Sequence, residues 1–214
     1  MIILVLDGYK IAFIISLVVL TIVILLLLFF LIYPRIRNLL YSKNFKQYYY
    51  KKIYKTALYK DFYLINDFPF KFDSRIALID HILFGEKYIY FIIDKYYTGD
   101  LLGNAIDPSL IFIPRKGDKN YTDNPINQIN NYIKNISLLT NLDQSLMIGI
   151  VLVNNQCNVA VKSELNDCYI IQEKRFYQLI KAIESRDIGT MNEEQLAKAV
   201  KNISIMKDKV RKKK

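Results

Sequence analysis

The sequence predicts an α/β protein: an N-terminal single transmembrane helix followed by a domain with a central mixed sheet flanked by helices. Three observations point there. From Ile11 to Tyr33 the run "IAFIISLVVLTIVILLLLFFLIY" has no charge and only Ser16 and Thr21 as polar side chains; at ~1.5 Å rise per residue it exceeds the ~20 residues that cross a bilayer core. Segments rich in β-branched and aromatic residues, such as "YIYFIIDK" from Tyr88, are apolar on both sides, as strands covered by helices must be. Stretches with apolar residues at helical spacing lie between and after them.

The 214 residues leave room for one compact core and an accessory segment. The formal net charge of +10 favours anionic partners, either nucleic acid or acidic lipid headgroups. Cys157 and Cys168 have no second pair and no His nearby, which excludes a disulfide framework and a zinc site and leaves two reduced thiols. His81 is the only histidine; two-His metal sites are excluded, and any Ser-His-Asp arrangement depends on that one ring.

A cleaved signal peptide would carry an apolar stretch of about 7 to 15 residues ending in small residues. Here "FFLIYPRIR" follows, so the run reads as a retained anchor. Asp7 and Lys10 precede it, whereas Arg35, Arg37, Lys43, Lys46, Lys51, Lys52, Lys55 and Lys60 follow with no acid before Asp61. Positive flanks stay on the cytoplasmic side. The expectation is a single-pass protein of the cell membrane, its N-terminus outside and its C-terminal domain in the cytoplasm. Residues 1–34 form the anchor, 35–60 a basic Tyr-rich juxtamembrane helix, 61–186 the α/β domain, and 187–214 a C-terminal helix with a basic tail. In the juxtamembrane stretch Tyr50, Ile53, Tyr54, Ala57 and Leu58 recur at helical spacing and are expected to pack on the domain. Lys46, Lys51, Lys52 and Lys55 are candidate contacts for nucleic acid or anionic headgroups, against the plainer reading of a solvated flank. Tyr48, Tyr49 and Tyr50 read as membrane-interface anchors ahead of base-stacking residues.

In the domain, "FYLINDFPF" (Phe62 to Phe70), "RIALIDHILFG" (Arg75 to Gly85) and Tyr88 to Lys95 read as strands, with Gly85-Glu86-Lys87 between the last two at hairpin length. A turn-rich stretch then holds one short strand, Leu110 to Ile113. A helix opens at Asn124, which can cap, and at Pro125, which suits the first helical position; Ile126, Ile129, Ile133 and Ile136 make its apolar stripe. Strands follow at Leu146 to Asn154 and at "CYIIQ", then a helix over Lys174 to Ser185. A last helix starts at a capping box from Thr190 to Glu193 and runs through Leu196, Val200 and Ile203. The closing "KDKVRKKK" is too charged to pack and is expected to fray.

Chemistry concentrates at two strand ends. Mg²⁺ takes hard oxygen ligands in octahedral geometry, and metal-dependent nucleases supply carboxylates from adjacent central strands, with a lysine to steady the developing phosphate charge. Asp80 and the Asp94-Lys95 pair are material for such a site. "LIDHILFG", "YIYFIIDKYYTGD" and "NPINQINNYIKNISLL", in this order, resemble the nuclease-related domain (NERD) family of the restriction-endonuclease-like superfamily; the likeness runs from about Tyr48 to Val153. The family pattern is an Asp in an Ile-Asp-His strand, then Glu-x-Lys with a Gly shortly after, then Asn-Pro-x-x-Gln opening a helix. It maps onto Asp80, Lys95, Gly99, Asn124, Pro125 and Gln128. The resemblance implies Asp80 as metal ligand, Lys95 as catalytic lysine and Gln128 as a polar helper, with Mg²⁺ as cofactor if the site is active.

The Glu-x-Lys motif is degenerate. Two residues before Lys95 stands Ile93, and the acid has moved to Asp94. Side chains alternate along a strand, so Asp94 and Lys95 point to opposite faces unless a bulge intervenes. Three functions stay open: a nucleic-acid-binding module with weak or lost nuclease activity, which is preferred; an active Mg²⁺ nuclease with Asp80 and Asp94 on the metal and Lys95 and Gln128 assisting; and a non-enzymatic scaffold for an unknown protein partner. Structural roles stand beside these. Asp80 could pair with Arg75 or Lys95, Asp94-Lys95 could be a solvated strand end, Gln128 an ordinary first-turn residue, and His81 a packed core histidine.

Overall fold

The computed structural model describes residues 2–72, 75–162 and 167–211. Two compact units make up the chain, Met1–Asn44 and Phe45–Lys214. A helical run, α1 (Ile2–Lys60), enters both, with a non-helical backbone at Asn44 (φ −115°, ψ 20°). The first unit is helix alone. Its apolar side chains are exposed from Ile11 to Tyr33, and by length and composition it is a candidate membrane span.

The second unit is mixed α/β. Its main sheet has the order β1-β2-β3-β7-β9, from β1 (Tyr63–Phe72), β2 (Arg75–Phe84), β3 (Ile89–Lys95), β7 (Met147–Val153) and β9 (Cys168–Gln172). β1, β2 and β3 pair antiparallel; β7 pairs parallel with β3 and with β9. The expected strands are all present, but the sheet is not alone. A second sheet, β6-β5-β4-β8, is built from β4 (Gly99–Asn104), β5 (Ser109–Pro114), β6 (Asn120–Asp123) and β8 (Asn158–Lys162). Only β5 is legible as a strand in sequence. β6 is four polar residues, "NYTD", and β8 alternates exposed and half-buried positions, so neither carries the apolar run that marks a covered strand. Gly99 is required where β4 meets β5, since a Cβ there would stand 2.0 Å from the Ile113 carbonyl oxygen.

One core joins the layers. Phe91 and Ile93 of β3 and Val151 of β7 meet Ile126, Ile129, Ile133 and Ile136 of α2 (Pro125–Thr140), the stripe read from the sequence. Gly149 lets α2 lie close to β7: a Cβ would meet the Cys168 sulfur at 2.9 Å and Ile129 and Ile133 within 3.2 Å. Ile92, Ile150 and Leu152 are buried as well, as are Phe176, Ile180 and Ile183 of α3 (Phe176–Glu184), which is tied to β3 by the Tyr90 hydroxyl donating to Glu184 Oε1 at 2.6 Å. On α1 the buried positions are Tyr49, Ile53, Thr56 and Ala57. The stripe is rotated from the expected one: Tyr50, Tyr54 and Leu58 are exposed, while Tyr49 is fully buried and donates its hydroxyl to the Lys95 carbonyl at 3.1 Å, which removes it as an interface anchor.

The last helix, α4 (Glu193–Arg211), buries Ala199 and Ile203 against the core. Its capping box lies two residues later than expected: Gln195 N–H donates to Asn192 Oδ1 at 2.7 Å, and Asn192 N–H to Gln195 Oε1 at 3.0 Å. The end does not fray at Lys207, whose ammonium donates to the Asn66 carbonyl at 2.8 Å; the helix continues to Arg211, and the final three lysines lie outside the described residues.

Asn124 does more than cap. Its Oδ1 accepts from Ile126 N–H at 2.9 Å, and its Nδ2 donates to the carbonyls of Ala105 and Asp107 at 2.9 and 2.8 Å, tying the β4–β5 turn to α2. Asn124→Ala removes a cap and the buried bond to the Ala105 carbonyl, while the Asp107 carbonyl keeps Asn127 Nδ2 as a donor at 2.7 Å. The change is expected to cost about 2 to 3 kcal/mol in chemical denaturation. A loss within the roughly 0.5 kcal/mol of an ordinary surface change would contradict this role.

Candidate functional site at the fork of β2 and β3

β2 and β3 share backbone pairs from Phe84↔Ile89 to His81↔Ile92. β3 runs on beside β7 as far as Lys95↔Val153. β2 stays with β1. The inward side of both hairpin strands also changes parity here: Ile65 then Phe68 and Phe70 on β1, Ala77 and Ile79 then Ile82 and Phe84 on β2. Asp67, at φ 50°, and Asp80 mark the change. A left-handed backbone is tolerated by Asp better than by most residues, and it resets the alternation of the strand. The result places the Asp80 side chain in the fork, where its Oδ2 accepts the Asp94 N–H at 2.9 Å.

Asp80 Oδ1 accepts from the Lys46 ammonium at 2.6 Å. Helical phase explains the meeting. Lys46 lies one turn before Tyr49 and two before Ile53, so it shares their buried face. Burial pulls the Lys46 pKa down, but the Asp80 hydrogen bond and charge, with Asp94 and Asp67 beyond, outweigh it and leave the pKa above the ordinary lysine value.

Asp94 takes the other face. Its carboxylate is wholly buried, with Oδ2 3.1 Å from His81 Nε2, and His81 Nδ1 lies 2.7 Å from Asn66 Oδ1. Asp94 Oδ1 has no hydrogen-bond partner among the described residues. Burial pushes the Asp94 pKa up, against the opposing pull of His81. The Tyr50 ring lies roughly parallel to the His81 ring at 6.3 Å between centroids. A cavity of about 290 Å³ opens among these groups, lined by Lys46 and Tyr50, by Asn66 and Asp67 of β1, by Asp80 and His81 of β2, and by Asp94 of β3.

The sequence-derived residues therefore divide. Asp80, Asp94 and Lys46 come together at one cavity. Lys95, on the unbroken ladder with β7, shares the side of Ile93 and Val153 and not that of Asp94. Burial lowers its pKa, against the charge of Asp80, which it feels without a direct hydrogen bond among the described residues. Gln128 donates to the Tyr132 hydroxyl at 2.8 Å, one turn along its own helix, and lines no part of this cavity. Lys51 and Lys55 are exposed and Lys52 is half-buried. Asp80 is paired with Lys46 and not with Arg75 or Lys95. His81 is a buried, paired histidine, as read from the sequence, but sequence alone does not join it to Asp94. Both thiols are buried, their pKa values pushed up to about 12, which suits inert packing.

The donor set does not fit a Mg²⁺ cage. Mg²⁺ seeks oxygen ligands, yet an ammonium sits on Asp80 Oδ1, Asp80 Oδ2 is taken by a backbone N–H, and one oxygen of Asp94 faces His81. Among the described residues no group of three or more His, Cys, Asp and Glu is arranged to hold a metal ion.

The Lys46–Asp80 pair carries a pH signature. Lys46 has a folded pKa raised above 10.5, so its stabilisation is complete below pH 10.5 and is lost as the pH rises through the folded value. The melting-temperature gap between the native chain and Lys46→Met should stay open up to pH 10.5 and close above it. A gap that persists unchanged at higher pH would contradict the pairing.

The family model of the nuclease-related domain matches residues 42–154, more than half of the chain, and that stretch contains every residue of the fork. No curated protein and no solved structure gives a significant match. The chain belongs to the nuclease-related domain (NERD) family, a domain of the restriction-endonuclease-like kind.

Proposed function

We propose that this chain is a membrane-anchored family member whose cytosolic domain holds nucleic acid with weak or lost nuclease activity. One observation carries the reading: the position two before Lys95, where the family pattern has its acid, is Ile93, 3% exposed in the core, and the neighbouring Asp94 turns to His81. Phosphodiester hydrolysis on this plan needs at least two carboxylates facing one cation and its water beside the lysine. Asp80 shares its cavity with Asp94 and not with Lys95, and is already neutralised by Lys46.

Binding is supported by the family's nuclease-related character, by the net charge of +10 and by the exposed Lys51 and Lys55, which can neutralise phosphates without any catalytic group. Anchoring is supported by the uncharged run from Ile11 to Tyr33, and cytosolic orientation by the basic residues that follow it. The same lysines suit anionic headgroups, so the assay must remove lipid from the competition.

The full chain in a neutral detergent should retain labelled DNA or RNA without cutting it in Mg²⁺ or Mn²⁺. Affinity should fall steeply with salt, and reversing Lys51 and Lys55 to Glu should lower the log–log salt slope by about 0.9 for each duplex phosphate that is no longer neutralised. Metal-dependent nicking that Asp80→Ala abolishes would overturn the loss of activity. Failure to retain either nucleic acid at low salt would overturn binding.

A further inference from the structure

The fork offers a cation position that the protein fills for itself. Asp67, Asp80 and Asp94 line one cavity of about 290 Å³, large enough to admit water. Mg²⁺ or Mn²⁺ needs no more than one or two of these carboxylates, because such ions keep much of their water. Asp94, whose side chain is wholly buried, has in Oδ1 a carboxylate oxygen that meets no donor among the described residues. Carboxylates gathered at one cavity attract cations, although among the described residues no three such groups are arranged to hold a metal ion.

We propose that Lys46 is a built-in counter-ion whose ammonium occupies the place a hydrated divalent cation would take at Asp80, keeping the site free of metal. This rests on the reading of the domain as hydrolytically silent and supplies its cause. The ammonium is 2.6 Å from Asp80 Oδ1, inside the contact distance of a second cation's water shell. A dication drawn to that oxygen would lie within a few ångströms of a fixed positive charge and would be repelled. Exposure of the Lys46 side chain is 56%, so the lock faces solvent and not a sealed core. Its hold comes from the helix: the buried Tyr49 and Ile53, one and two turns on, fix the face that presents Lys46 to the fork. The phase of the α1 end against β2 and β3 brings this lysine to the fork.

The test is Mn²⁺ uptake by the full chain in neutral detergent, read from the loss of the free-ion paramagnetic resonance signal. The native chain and Lys46→Arg should leave millimolar Mn²⁺ free. Lys46→Gln, which keeps a hydrogen-bond donor but no charge, should bind Mn²⁺ about tenfold more tightly or better. Adding Asp80→Asn to it should abolish the gain. Native uptake equal to that of Lys46→Gln, or no gain in Lys46→Gln, overturns the proposal. If Lys46→Gln unfolds, Mn²⁺ should restore its melting transition, and failure to do so overturns the proposal as well. Nucleic-acid retention by the native chain is read separately, so loss of that binding leaves the Mn²⁺ result standing, and the reverse.

Discussion

Beyond His81 and Ile92 the strands β2 and β3 no longer share backbone pairs, and the carboxylate of Asp80 spans the opening between them. One oxygen takes the Asp94 N–H that would otherwise lose its ladder partner; the other takes the Lys46 ammonium. A hydrogen bond to a charged group is worth about 1.5 to 3 kcal/mol, so this single side chain replaces a missing rung and fastens a helix at once. The lining of the cavity and the misfit of its donors to a metal cage both follow from where that carboxylate stands.

Much of the fold is legible because burial writes period into sequence. Ile126, Ile129, Ile133 and Ile136 keep a helical period under a cap at Asn124, and α2 begins where they indicate. The runs through Ile89–Lys95 and Met147–Val153 are apolar on both sides because helices cover both. Of the second sheet only β5 is legible. Its strands β6 and β8 hold few buried side chains, and a strand defined by backbone pairing alone leaves little trace in residue type. The phase of the α1 end differs by one position from its sequence reading, since tyrosines occupy 48, 49 and 50 in a row and type alone does not say which one turns inward.

The candidate site is half legible. The opposite facing of Asp94 and Lys95 follows from strand alternation, and the regular ladder with β7 leaves it intact. The Lys46–Asp80 and His81–Asp94 pairs do not emerge from the sequence. A clue lies in the spacing of Lys46 to Tyr49 and Ile53, which places a lysine on a buried face, but only if the helix phase is known. Asp80 sits where both hairpin strands change parity, and no residue pattern announces such a reset except the left-handed Asp67 opposite it.

The family match spans the fork, where Ile93 is buried in the core, Asp94 faces His81 and Asp80 carries a lysine. An anomalous difference map from crystals of the native chain grown in Mn²⁺ tests the central claim most directly. The account predicts the Lys46 ammonium on Asp80 Oδ1 and no manganese peak at the fork. A peak coordinated by Asp80 and Asp94, with Lys46 turned away, would contradict it.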